Sequence, residues 1–122
     1  MDGYFSQDKR PAFSIELYGH SRKWKIPIEA ILDTGFNGFL SLPLKHCLKA
    51  GLILASTTSQ TLANGQNSST LLCWGTVLIG QKKVVGLISI SSGGHALLGM
   101  EFLEKLKAKL EVDPVKKTVK LV

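Results

Sequence analysis

The chain is predicted to be mainly β, antiparallel and of barrel or sandwich type, with one clear helix and one short one. Three observations point there: apolar and polar residues alternate with period two, Gly- and Asn-Gly-containing turns separate those runs, and only one long stretch has helical spacing. Phe13, Ile15 and Leu17 alternate with Ser14, Glu16 and Tyr18, which sets one face of a strand against a core. Gly19 to Lys23 reads as a turn. Trp24, Ile26, Ile28 and Ala30 then alternate with Lys25, Pro27 and Glu29 in a returning strand, with Pro27 marking an edge or bulge. The alternation breaks at Ile31-Leu32, a doubly buried pair, immediately before Asp33-Thr34-Gly35.

Phe39 to Leu42 forms another short strand. Pro43 suits the first position of a helix in which Leu44, Cys47 and Leu48 share a face, and Gly51 is its stop signal. Thr57 to Leu62 and Thr70 to Ile79 are extended on either side of Asn64-Gly65, a hairpin with a polar tip. Gly80 to Lys83 turns the chain into a strand over Val84 to Ile90, and Ser91 to Gly94 is a loop before the short buried run Ala96-Leu97-Leu98-Gly99. Met100, Leu103, Leu106 and Leu110 mark a helix with one apolar stripe, ended by Asp113-Pro114, and Thr118 to Val122 is a terminal strand. An apolar pair followed by a Gly-containing turn thus occurs twice, at Ile31-Leu32-Asp33-Thr34-Gly35 and at Leu97-Leu98-Gly99, as if two half-units each sent a loop to one centre.

With 122 residues, 44% of them hydrophobic and 20% charged, the chain has the composition of one globular domain over 1–122, with residues 1–11 as an N-terminal tail. Cys47 and Cys73 form no metal or redox motif and read as buried thiols in a reducing compartment; without a signal-peptide core or an 18-residue apolar run, the expected location is cytoplasmic, with no membrane partner. The charge of +6 invites an acidic partner, but the Lys and Arg residues are scattered and no RNA-binding aromatic motif accompanies them, which argues against nucleic acid. His20, His46 and His95 lack metal-ligand spacing, so no metal is expected, and G-x-S-x-G is absent.

A carboxylate directly behind a buried apolar strand is costly unless it is hydrogen-bonded or put to use. Asp33 is such a group; Thr34 offers a hydroxyl that can brace the loop, and Gly35 allows close backbone approach to the carboxylate. Read blandly, Asp33 is a turn-former bonding its own backbone.

Ala30-Ile31-Leu32-Asp33-Thr34-Gly35, the Asn64-Gly65 hairpin and Leu97-Leu98-Gly99-Met100-Glu101-Phe102-Leu103, in that order, resemble the aspartic proteases, in particular the single-domain retroviral type (retropepsins) and their bacterial relatives. The resemblance runs from about Phe13 to Val122. It implies a closed β-barrel of the acid-protease fold with one helix in its C-terminal half and a flap hairpin, and peptide-bond hydrolysis without a cofactor. Asp33, Thr34 and Gly35 would form the catalytic loop, with Thr34 bracing it across a subunit interface and Gly35 contacting water or substrate. Asn37 stands where an acidic or Ser residue often binds substrate backbone, and Phe36 where a small residue is usual. The flap tip Ala63, Asn64 and Gly65 would cover an extended peptide, and His95 and Ala96 would line a side-chain pocket. The reaction needs two carboxylates. Because Asp2, Asp8 and Asp113 lie in tails or turns, the second must come from another copy, which implies a homodimer with the two Asp33 residues at its axis and with the terminal strand and chain start as candidates for pairing between subunits. The competing reading is a catalytically inactive dimeric β-barrel module that binds an extended peptide or an acidic polymer.

Overall fold

The structure, a computed structural model, describes residues 1–19, 25–61, 64–91 and 94–122. The alternating Phe13, Ile15 and Leu17 form strand β2 (Pro11–Tyr18) and are buried almost completely, while Ser14 and Glu16 face outward. Strand β3 (Ile26–Leu32) returns antiparallel beside it, with Ile15 opposite Ile28. Pro27 lies on the part of β3 that has only one strand neighbour, because the second, β8 (Ala96–Leu98), joins at Ala30. A missing N–H is tolerated on such an edge.

Between β3 and β8 come β4 (Leu40–Pro43), helix α1 (Leu44–Ala50), the hairpin strands β5 (Ile53–Thr61) and β6 (Asn67–Ile79), and β7 (Lys82–Ser91). Helix α2 (Met100–Leu106) follows β8, and β9 (Leu110–Asp113) and β10 (Thr118–Leu121) close the chain, which opens with the short β1 (Tyr4–Phe5). Neighbours run β2, β3, β8, β4, β7, β6, and β6 returns to β2 through Glu16 opposite Leu78 and Tyr18 opposite Thr76. The result is a closed six-stranded barrel. Its pairs are antiparallel except β3 with β8 and β4 with β7. One edge of the long β6 serves two elements: its last residues seal the barrel against β2, and its first residues carry β5 out as a hairpin.

Phe13, Phe39, Phe102, Leu17, Ile88 and Leu98 fill the interior, and the rings of Phe39 and Phe102 meet with centroids 5.9 Å apart. Gly86 makes room for this pair, since a Cβ there would come within 2.6 Å of the Phe39 ring. Cys47 and Cys73 are buried free thiols with their sulfurs 3.6 Å apart, joining α1 to the base of the hairpin. Burial, followed by the neighbouring Cys73 thiol, pushes the Cys47 thiol up to about 12.

Three expectations change. The face of α1 consists of Cys47 and Ala50, while Leu44 and Leu48 are 48% and 71% exposed, because this seven-residue helix turns toward Cys73. Helix α2 stops at Leu106: Lys107 adopts φ 57°, and the amides of Lys107 and Ala108 turn back to the carbonyls of Glu104 and Leu103. Leu110 therefore belongs to β9, which pairs with β10 before and after the Asp113-Pro114 turn. Residues 1–5, expected as tail, are built into the fold. Leu121 N donates to Met1 O at 2.8 Å, Gly3 N to Val119 O at 2.7 Å, and β1 pairs with β2. The chain start and the terminal strand thus pair with each other inside one chain. Of the expected turns and loops, residues 20–23 and Ser92-Gly93 lie outside the described residues, as do Trp24, Leu62 and Ala63. No helix among the described residues is long and apolar enough to cross a membrane.

Candidate active site

The parallel pairing of β3 with β8 sets Ala30, Ile31 and Leu32 beside Ala96, Leu97 and Leu98, so the two apolar runs noted in the sequence end side by side. Past them, the chain from β3 turns out as the loop 33–39, and the chain from β8 enters α2. Backbone hydrogen bonds join the two. Asp33 N donates to Leu98 O at 2.9 Å, Gly99 N to Phe39 O at 3.1 Å, Met100 N to Phe36 O at 2.8 Å, and Glu101 N is shared between Asn37 O and Gly38 O. A side chain at Gly99 would prevent this: its Cβ would lie 2.1 Å from Gly38 O and 2.6 Å from Phe36 O.

Asp33 is half-buried, Thr34 and Gly35 are exposed, and Gly35 N donates to Asp33 Oδ1 at 2.9 Å. Phe36 N closes the turn onto Asp33 O at 3.1 Å. The carboxylate is thus held by one oxygen on a loop whose backbone bonds are made. Among the described residues, neither its other oxygen nor the Thr34 hydroxyl has a hydrogen-bond partner within the chain. Phe36, in the place expected to hold a small residue, lays its ring over Gly38 and Gly99 and packs the loop against the start of α2.

Two cavities flank Asp33. The larger, a cleft of about 1240 Å³, is walled by Gly35 to Phe39 on one side and by Ser69 to Leu72 of β6 on the other, with Leu44, Leu87, Ile90 and Glu101 completing it. The smaller, about 330 Å³, lies against Asp33 and Thr34 and is lined by Arg10, Pro11, Ile31, Leu32, Leu110 and Val112. Arg10 is braced at its rim: its Nε contacts Asp8 Oδ2 at 2.9 Å, and its amide donates to Ser6 Oγ at 3.1 Å. The Ser6 hydroxyl, then Arg10, hold the Asp8 carboxyl below the usual carboxylate range against the opposing effect of desolvation.

The structure brings Asp33, Thr34, Gly35 and Asn37 together, with Gly35 and Asn37 lining the cleft. Asn64 and Gly65 form the exposed turn at the far end of the β5–β6 hairpin, where Gln66 N donates to Asn64 Oδ1 at 3.0 Å and Gly65 takes φ 83°; Ala63 lies outside the described residues. His95 is exposed. Ala96 is only 3% exposed and packs in the barrel core, so it lines no side-chain pocket; strand alternation turns the half-buried Leu97 to the opposite face. Leu44, Leu71 and Leu87 also line the cleft. The sequence puts Leu44 on the packed face of α1 and Leu71 and Leu87 only in extended runs, and exposure of a large apolar side chain cannot be read from periodicity.

The other aspartates lie away from the loop. Asp113 Oδ1 accepts from the amides of Val115 and Lys116, the Asp8 carboxylate accepts from Ser6 and Arg10, and the backbone of Asp2 forms a β-bridge with Lys120 on the terminal strand. Within one chain, Asp33 is therefore the one aspartate among the described residues on this loop, in the wall of the smaller cavity and two residues from the Gly35 edge of the larger, which Glu101 also lines.

Among solved structures, the EIAV protease in complex with the inhibitor HBY-793 superposes with a TM-score of 0.62 at 19% identity, over 88% of this chain and 97% of that one. The fold is that of the retroviral proteases. The solution structure of the Simian Foamy Virus (mac) protease agrees, with a TM-score of 0.60 at 16% identity over 80% of this chain and 97% of the other. No family model matches the chain, and no curated protein matches it by sequence. The expected acid-protease barrel, with its helix after the second apolar-Gly run, is therefore the observed one.

Proposed function

We propose that the chain is an aspartic endopeptidase active as a homodimer, in which the Asp33 carboxylates of two copies share one proton around a water molecule. The observation that carries this reading is the half-buried Asp33 on a loop fixed by backbone bonds, whose next residues, Gly35 to Phe39, wall a cleft in a retroviral-protease fold. Two carboxylates about 3 Å apart cannot both ionise readily, so one stays protonated near neutral pH and the pair titrates as a unit.

In this mechanism the ionised Asp33 takes a proton from water while the protonated one hydrogen-bonds the scissile carbonyl oxygen. The hydroxide equivalent adds to the carbonyl carbon and gives a tetrahedral diol. Proton transfer to the amide nitrogen then lets the C–N bond break, releasing an acid and an amine and returning one proton to the pair. The substrate lies extended in the cleft between Asn37 and the β6 residues Ser69 to Leu72, where an extended chain meets backbone on both sides. The hairpin tip at Asn64 and Gly65 closes over it as a flap. Thr34 braces the two loops across the interface. No cofactor takes part, and the two buried thiols fit a cytoplasmic setting.

Digestion of a peptide library between pH 4 and 7 tests the proposal. Cleavage strongest at mildly acidic pH and absent in Asp33→Asn supports it. Cleavage that persists in Asp33→Asn, or no cleavage by the wild-type chain at any pH, refutes it.

A further inference from the structure

The hydrogen-bond parity of the terminal strands shows which edge of this chain is left open, and where. Lys109 N donates to Val122 O at 3.0 Å and Val122 N to Lys109 O at 2.9 Å, so residues 109 and 122 exchange both bonds. In an antiparallel ladder such doubly bonded pairs recur every second residue. Lys109, Glu111 and Asp113 therefore spend their backbone groups on β10, and Leu110 and Val112 direct theirs to the other edge. The same parity holds on the far side of β10, where Val119 O accepts from Gly3 N and Leu121 exchanges both bonds with Met1. Both edges of β10 are thus filled within the chain, while among the described residues the outer edge of β9 pairs with nothing.

This edge lies at the candidate site. Leu110 and Val112 turn their side chains into the small cavity they share with Asp33 and Thr34, and Val112 is still 42% exposed. Resting on the dimeric reading above, we infer that the second copy docks through β9, edge to edge, rather than by exchanging chain ends. A twofold axis perpendicular to the strand and passing beside Glu111 places Leu110 opposite Val112 of the partner subunit and Val112 opposite Leu110 of the partner subunit. That register uses every free group: four hydrogen bonds form, and residues 1–3, β10 and β9 of both copies make one six-stranded sheet. Because the axis is perpendicular to the sheet, the Leu110 and Val112 side chains of both copies lie on one face, the face toward Asp33 and Thr34. One operation therefore completes the sheet and brings both Asp33 loops to the same side. On the opposite face Lys109 meets Asp113 of the partner subunit. Glu111 meets its own copy, and Lys109 Nζ, 3.4 Å from Glu111 Oε1 in the same chain, offsets that repulsion.

Cross-linking through an introduced cysteine reads the register. In a non-hydrogen-bonded antiparallel pair the Cα atoms are about 4.5 Å apart, within disulfide range. Glu111→Cys treated with oxidised glutathione is expected to give a covalent dimer on a non-reducing gel. The same treatment of Val115→Cys, exposed at the β9–β10 turn, and of the wild type with its two buried thiols is expected to give little. Independently, Val112→Pro removes one outward N–H per copy without touching the β10 ladder. It is expected to weaken association about 30-fold in sedimentation, the loss of two hydrogen bonds, with an unchanged circular dichroism spectrum. Cross-linking of Glu111→Cys no better than Val115→Cys, or unchanged association of a folded Val112→Pro, overturns the inference. The two readings fail separately. A dimer that cross-links at position 111 but cleaves no peptide keeps this interface and removes the protease. A chain that cleaves through Asp33 without that cross-link keeps the protease and removes this interface.

Discussion

The ends of β3 and β8 offer the most instructive contrast in the molecule. The strands run parallel in register, so the position after Leu32 is Asp33 and the position after Leu98 is Gly99. At the first, the chain turns outward and presents a carboxylate held by Gly35 N. At the second, the chain packs so closely on the Phe36 and Gly38 carbonyls that no side chain fits. One half-unit presents the carboxylate and the other clamps its loop in place. A chain built this way cannot supply its own second acid from the matching position, because the clamp requires a residue with no side chain there.

Substitutions on either side of that contrast differ in kind, and the largest effect is expected at the acid. Asp33→Asn should lower peptide hydrolysis by about 10⁴-fold while moving stability by less than about 1 kcal/mol, since the amide can still accept from Gly35 N; parallel kinetics and urea denaturation check both. Gly99→Ala should act the other way round, costing about 3 kcal/mol of stability through overpacking and losing activity only as the loop is displaced, which the shift in denaturation midpoint measures. Leaving Gly99→Ala as stable as the wild type would show that the clamp is loose.

A smaller contrast separates the two helix ends. Both turn their last amides back in the same way, Gly51 and Leu52 onto Leu48 and Cys47, and Lys107 and Ala108 onto Glu104 and Leu103, but the left-handed residue is Gly51 in one and Lys107 in the other. Gly51→Ala should cost about 1 kcal/mol by thermal or urea unfolding, all of it from backbone conformation, because nothing crowds a Cβ there. Lys107→Gly should gain up to about 1 kcal/mol.

The smallest effect concerns pH. Desolvation, followed by Lys45 and Lys49, holds the His46 imidazole below its usual value. Its unfolded form therefore binds a proton more readily than its folded form. Stability from this group is present above about pH 6.5 and is lost as pH falls through and below that value toward the lowered folded pKa. His46→Gln should flatten the loss between pH 7 and pH 5, measured by urea midpoints.

These contrasts also mark what the sequence made legible. Period-two alternation located β2, β3 and β10, Asn64-Gly65 located the hairpin, and Gly51 located the end of α1, since each is a local signal with a local cause. Asp33, Thr34 and Gly35 stood out because a carboxylate behind Ile31-Leu32 needs a reason. The end of α2 was hidden because Lys107 sits where Gly usually announces the stop, so Leu110 extended the helical stripe across a boundary and β9 went unseen. The short β1 was hidden because its two residues carry no period. The core place of Ala96 and the cleft-lining roles of Leu71 and Leu87 depend on long-range register, which no local pattern encodes.

The central claim is that each active centre takes one Asp33 from each of two chains, and mixing tests it most directly. Wild-type and Asp33→Asn chains are unfolded together, refolded at a fixed total concentration and assayed for peptide hydrolysis. If two copies share one centre, activity falls as the square of the wild-type fraction, to about one quarter in an equal mixture. Activity of about one half, proportional to the wild-type chains present, would contradict it.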